Sequence, residues 1–145
     1  MPGLSFIYGN AENLPFDDMS FDAIVNIESS GSYSNMDKFL SEAYRVLRPG
    51  GYLLLADLRT IEENELLRNQ IEEAGFNIIN EENIVKNILK ATDLDYERRY
   101  KLIKNKAPLY LKNLSKEFSS LKGTKRHESF DDGSLIYLRY VLKKS

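Results

Sequence analysis

Side chains able to do chemistry gather in three short stretches of this 145-residue sequence. Asn10-Ala11-Glu12 opens a loop, Asn26-Ile27-Glu28 closes an apolar run, and Ser29, Ser30 and Tyr33 lie in the small, polar segment that follows. Hydroxyls and amides of this kind orient a ligand by hydrogen bonding. Taken alone, Asn10 reads as a turn residue, and Ser29, Ser30 and Tyr33 read equally well as loop residues that cap the next helix. Asp57 ends a strongly apolar run at Tyr52–Ala56. There is no cysteine, which excludes disulfides and thiolate metal sites, and the single histidine, His127, cannot build an all-histidine site within one chain. No metal is expected, and His127, flanked by polar residues, reads as a surface residue.

The elements that position these residues follow from apolar spacing. Leu4, Phe6 and Tyr8 alternate with smaller or polar residues and predict a short strand; Phe21–Ile27, rich in β-branched residues, predicts a buried one. Met36, Phe39, Leu40, Ala43, Tyr44 and Leu47 recur at helical spacing, with Ser34 or Asn35 as the cap and Pro49-Gly50-Gly51 as the stop. Tyr52–Ala56 is a central strand buried on both faces. Thr60 and Glu63 form a capping box for a second helix, which Gly75 closes before a strand at Phe76–Ile79. Residues 84–121 read as mostly helical, broken near Asp93–Asp95 and at Pro108 and ended by Gly123. Leu135–Leu142 is the last strand, with Asp131-Asp132-Gly133 as a tight turn that pairs it with Lys125–Phe130 as a hairpin.

Strand, helix, strand, helix, strand predicts an α/β fold with a parallel sheet and crossover helices. One domain spans 1–145, divided into a partial α/β core at 1–83, a helical cover at 84–123 and a C-terminal strand or hairpin at 124–145. The composition, 42% apolar and 29% charged, is that of a folded, water-soluble chain. No run is long enough to span a bilayer and no signal pattern opens the chain, so the cytoplasm is the expected compartment. Charge is divided: residues 1–75 carry 5 basic and 13 acidic side chains, and residues 76–145 carry 15 and 9. Between Arg98 and Arg126 ten basic residues face one acid, Glu117. Such a stretch suits a lipid head group or nucleic acid, or it forms solvated helix faces opposite the acidic half. The overall net charge of −2 argues against a nucleic-acid partner.

Three motifs in order add a resemblance. Gly9-Asn10-Ala11-Glu12-Asn13-Leu14-Pro15-Phe16, then Ser20-Phe21-Asp22-Ala23-Ile24-Val25-Asn26, then Tyr44-Arg45-Val46-Leu47-Arg48-Pro49-Gly50-Gly51 resemble the later motifs of class I S-adenosylmethionine-dependent methyltransferases. The likeness is nearer to the phthiotriolone dimycocerosate methyltransferases and related O-methyltransferases of lipids and polyketides. Lys106-Ala107-Pro108, Phe118, Leu121-Lys122-Gly123 and Tyr137–Lys143 extend it to the tail. The resemblance implies a partial Rossmann-like methyltransferase sheet with a helical insertion before its last strand. It implies S-adenosyl-L-methionine as cofactor, with Asn10, Ala11 and Glu12 by the adenine and Asn26, Ile27 and Glu28 beneath the cofactor. Ser29, Ser30 and Tyr33 are then substrate-side candidates, and the helical block covers a small hydrophobic acceptor. Ile88, Leu111, Leu114 and Phe118 serve equally as core.

Two departures from the family pattern qualify what this chain does by itself. The family opens with a Gly-rich turn into a helix, where backbone approaches the cofactor, and no Gly-x-Gly occurs here. Relatives carry a histidine in a Glu-Ser-Ser-His-x-Tyr-like segment, and Gly31 stands in its place, leaving the catalytic residue unknown. The isolated chain is therefore expected to be inactive, as a truncated methyltransferase or as a non-catalytic module that dimerises or binds a ligand. Its sheet edges are expected to pair with each other or, as a homodimer or with a partner chain, with another polypeptide.

Overall fold

The computed structural model describes residues 3–106, 108 and 125–145. In chain order these form β1 (Phe21–Ile27), α1 (Met36–Val46), β2 (Leu47–Arg59), α2 (Ile61–Glu73), β3 (Phe76–Asn83), α3 (Val85–Leu94), α4 (Tyr96–Lys106), α5 (Lys125–Asp131) and β4 (Ile136–Lys144). The sheet runs β1-β2-β4-β3; β1 and β2 are parallel, and β4 is antiparallel to both its neighbours. This is the expected α/β architecture, a partial Rossmann-like sheet with helices between the third strand and the last.

Alternation along the strands creates two unlike faces. On one, Phe39, Leu40 and Ala43 of α1 and Leu67 and Ile71 of α2 bury Leu53, Leu55, Tyr140 and Leu142 in the main core. Each such aliphatic side chain contributes about 1.5–3 kcal/mol by leaving water. On the other face, α3 and α5 cover only the end near Ala56, Leu58 and Tyr137, through Val85, Ile88, Leu89 and Phe130. The remainder is open: Val25 is 62% and Ile27 59% exposed. A cavity of about 360 Å³ lies there between Val25, Ile27, Leu54, Ala56, Arg139 and Val141.

Helix ends are satisfied by side chains, as orphan backbone groups require. Of the two predicted caps for α1, Asn35 is the one used, accepting from the Lys38 N–H, while Thr60 and Glu63 form the predicted capping box on α2. Lys144 is buried at the other end of α1, donating to the Tyr44 carbonyl at 2.6 Å and the Leu47 carbonyl at 2.8 Å. A cation at a helix C-terminus meets the negative end of the dipole there. Gly75, with φ +92°, closes α2 as predicted.

Several expectations are corrected. Residues 4–8 form no strand, and Phe6 and Tyr8 are 91% and 100% exposed, because no neighbouring strand offers hydrogen bonds to that segment. Accordingly, among the described residues, β1 pairs with β2 alone and the two edges do not pair with each other. The predicted hairpin arm Lys125–Phe130 is instead helix α5; β4 takes β2 and β3 as its partners, so no place beside it is left. α1 stops at Val46, before Pro49-Gly50-Gly51, which forms an irregularity inside a longer β2. β3 extends to Asn83 rather than Ile79. The first helical break falls where expected, at Asp95, between α3 and α4. The expectations for Leu111, Leu114, Phe118 and Gly123 lie outside the described residues.

Candidate functional site

The carboxyl ends of β1 and β2, with the 28–34 loop between them, gather the polar groups, as open α/β sheets tend to do. Asn26 is 7% exposed on the helix-covered side of β1. Its Nδ2 donates to the Tyr33 hydroxyl at 2.6 Å, while its Oδ1 is buried with no partner. A buried acceptor left open in this way costs about 1–3 kcal/mol unless something donates to it.

Asp57 organises the loop. Its Oδ2 accepts from the Ser30 hydroxyl at 2.5 Å and from the Gly31 N–H at 2.8 Å. Arg59 donates to Ser30 Oγ at 2.7 Å and lies 3.8 Å from the Asp57 carboxylate. Ser30 is therefore fully engaged and buried, a structural role. A Cβ placed on Gly31 would sit 3.8 Å from both Asp57 oxygens, an ordinary contact, so a larger side chain has room there.

Glu28 follows β1 with φ +52°, a left-handed conformation rarely adopted by a residue with a long side chain. Its N–H donates to the Ala56 carbonyl at 2.9 Å, holding the turn to β2. Its carboxylate accepts from the Tyr137 hydroxyl at 2.7 Å. Burial, and then the Glu28 carboxylate beside it, push the Tyr137 phenol well above its ordinary pKa. Tyr137 thus stays protonated as a donor and fixes an exposed carboxylate at the mouth of the site.

The 10–12 stretch is held beside this loop. Asn10 Oδ1 accepts from the Glu12 N–H at 2.9 Å, and Ala11 packs on the main core. Glu12 Oε1 accepts from the N–H groups of Ser34 at 2.7 Å and Asn35 at 3.0 Å, joining the loop to the start of α1. Arg45 ties down the following residues by donating to the Phe16 and Leu14 carbonyls at 2.8 and 3.1 Å. Ile27 is 59% exposed on the open face, and Ser29 donates to the Ile27 carbonyl at 3.1 Å. The fold thus joins residues 10–12 to the 28–34 loop through Glu12, and links Asn26 to Tyr33 and Glu28 to Tyr137. Ile27 points away from them.

Three contributors escape sequence reasoning: Arg59, Tyr137 and the organising role of Asp57. An acid closing an apolar strand was the visible signal for Asp57. Tyr137 lies 109 residues from Glu28 and carried no such signal. Among the described residues, no group of three His, Cys, Asp or Glu side chains is placed to hold a metal ion.

Comparison with known proteins bears on the family and the fold. Residues 1–55 match the family model described as a methyltransferase domain. By sequence and fold, the chain matches part of the class I S-adenosylmethionine-dependent methyltransferases. It is 35% identical over 144 residues to a phthiotriol/phenolphthiotriol dimycocerosates methyltransferase of Mycobacterium tuberculosis, covering 99% of this chain and 53% of that protein. It is 29% identical over 142 residues to a fatty-acid O-methyltransferase of Mycolicibacterium smegmatis, covering 98% and 51%. Among solved structures, phosphoethanolamine N-methyltransferase 2 of Haemonchus contortus, in complex with S-adenosyl-L-methionine, superposes with a TM-score of 0.76 at 17% identity, over 93% of this chain and 36% of that one. The chain spans about half the length of the curated relatives it matches.

Proposed function

We propose that this chain forms the acceptor-side half of an S-adenosylmethionine-dependent methyltransferase that O-methylates a lipid or polyketide-like molecule. The observation that carries the reading is 35% identity, across nearly the whole chain, to a methyltransferase named for a long-chain lipid substrate. S-adenosyl-L-methionine supplies an electrophilic methyl carbon, so the protein's work is alignment, exclusion of water and acceptance of a proton.

The residues present fit one flank of that cofactor. Asn26 Oδ1 is a buried acceptor without a donor, and Asn26 and Ile27, with Glu28 just after them, close the strand that would lie beneath it. The methionine end is not provided for, since none of the 8 glycines forms a Gly-x-Gly turn. In this reading a polypeptide segment outside these 145 residues brings that turn and pairs with β1. Tyr33 orients Asn26, Tyr137 orients Glu28, and Ile88 and Leu89 of α3 wall an apolar acceptor. The setting is cytoplasmic.

A second reading, a non-catalytic module that forms homodimers, draws support from the unpaired β1 edge and the open Val25–Ile27 face. The test is methyl transfer from labelled cofactor to a hydroxylated fatty acyl acceptor. The 145-residue chain is assayed alone and with the front half of the M. tuberculosis relative. Transfer with both polypeptides and none with either alone is expected. Stable homodimers that neither bind the front half nor transfer methyl groups would favour the second reading.

A further inference from the structure

The basic stretch noted in the sequence surfaces, in part, on α4. This helix carries Arg98, Arg99, Lys101, Lys104 and Lys106 against one acid, Glu97. Ile103 is its buried residue, at 8% exposure. Arg98, Lys101, Leu102 and Asn105, spaced i, i+3, i+4 and i+7, fall on the opposite side and are all exposed. Leu102 is 52% exposed, and Leu94, which ends α3, is 82% exposed.

A merely solvated face would carry polar residues between its cations, not leucines. A face laced to the acidic half of the chain would show ion pairs to it. Asp95, at the junction of the two helices, pairs with Arg98 and Arg99, and no ion pair to Lys101 or Lys104 is found among the described residues. Two exposed leucines, Leu94 at the end of α3 and Leu102 on α4, beside the cations of α4 match the chemistry of an anionic bilayer surface, where the apolar groups enter the acyl boundary and the cations meet phosphates. Nucleic acid would gain from the cations but not from the leucines.

We propose that the outward face of α4, together with Leu94, docks on an anionic lipid bilayer. Building on the lipid-acceptor reading above, the contact would bring the site to a membrane-held acceptor, since α3 joins this face to the residues packed on Tyr137.

The test is flotation of the full 145-residue chain with vesicles of phosphatidylcholine, with and without phosphatidylglycerol. Binding only to the anionic vesicles is expected, weakening at high salt as the Debye length shrinks. Lys101→Gln, which removes one cation from that face, should bind about fivefold more weakly. Leu102→Asp should lose binding while keeping the far-ultraviolet spectrum of the parent chain. No flotation with anionic vesicles, unchanged flotation of both variants, or retention on a DNA oligonucleotide without vesicle binding would overturn the proposal. None of these results bears on methyl transfer to a soluble acceptor with the front half present, so failure here is separable from failure of the methyltransferase reading.

Discussion

Asp57 accepts two hydrogen bonds at the loop that forms the site floor, and Arg59 shares one of its donors. Replacing it with alanine leaves the Ser30 hydroxyl and the Gly31 N–H without their acceptor and Arg59 without its ion-pair partner. A loss of about 1–3 kcal/mol in urea unfolding is expected. Gly31 is different: it is exposed, its φ is ordinary, and its Cβ direction is open. Gly31→His should therefore change stability by about 0.5 kcal/mol or less. If urea midpoints instead showed a large loss, the free space beside Asp57 would be wrong. Tyr137→Phe removes the donor that fixes Glu28, and crystals of that variant should show the Glu28 carboxylate in more than one orientation.

At the scale of elements, side chains reaching across the sequence hold the loops against α1. Glu42 carries such a link: hydrogen bonds from Arg45, chiefly, and from the Leu14 N–H lower its pKa below the ordinary 4.5. A carboxylate whose folded pKa is depressed stabilises the fold at pH values above its unfolded pKa, and that contribution disappears as pH falls through the folded value. Unfolding free energy should therefore decline below about pH 4.5, and Glu42→Gln should flatten that acid limb; an unchanged slope would contradict the link. Thr60→Ala, which opens the α2 capping box, should cost about 0.5–2 kcal/mol by thermal denaturation.

These elements also separate what was readable in the sequence from what was not. Local signals named their own structures correctly for the Thr60–Glu63 box, the Asn35 cap and Gly75; the β-branched run of β1 forms the expected strand but not the expected buried one, since Val25 and Ile27 are exposed. Alternation at Leu4–Tyr8 misled because a strand also needs a partner edge, which spacing within one segment does not report. Lys125–Phe130 misled because Asp131-Asp132-Gly133 serves a helix-to-strand turn as readily as a hairpin. In the site, motif order drew attention to Asn26, Glu28 and Tyr33, which lie at the end of β1 and in the loop after it, while the bond from Tyr137 depends on β4 lying beside β2, which only the sheet order reveals.

For the whole molecule, the governing fact is an α/β sheet clothed on one face and half bare on the other. Val25 and Ile27 stand in water next to the unpaired edge of β1, a combination that invites another strand and a covering helix. Val25→Lys with Ile27→Lys should reduce self-association of the isolated chain in sedimentation velocity runs and also block its capture of a front-half polypeptide.

The most direct measurement is calorimetric titration of the 145-residue chain, by itself, with S-adenosylhomocysteine. The account predicts no detectable heat from the chain alone and saturable binding once the front half of the M. tuberculosis relative is added. Micromolar binding by the chain alone would contradict it.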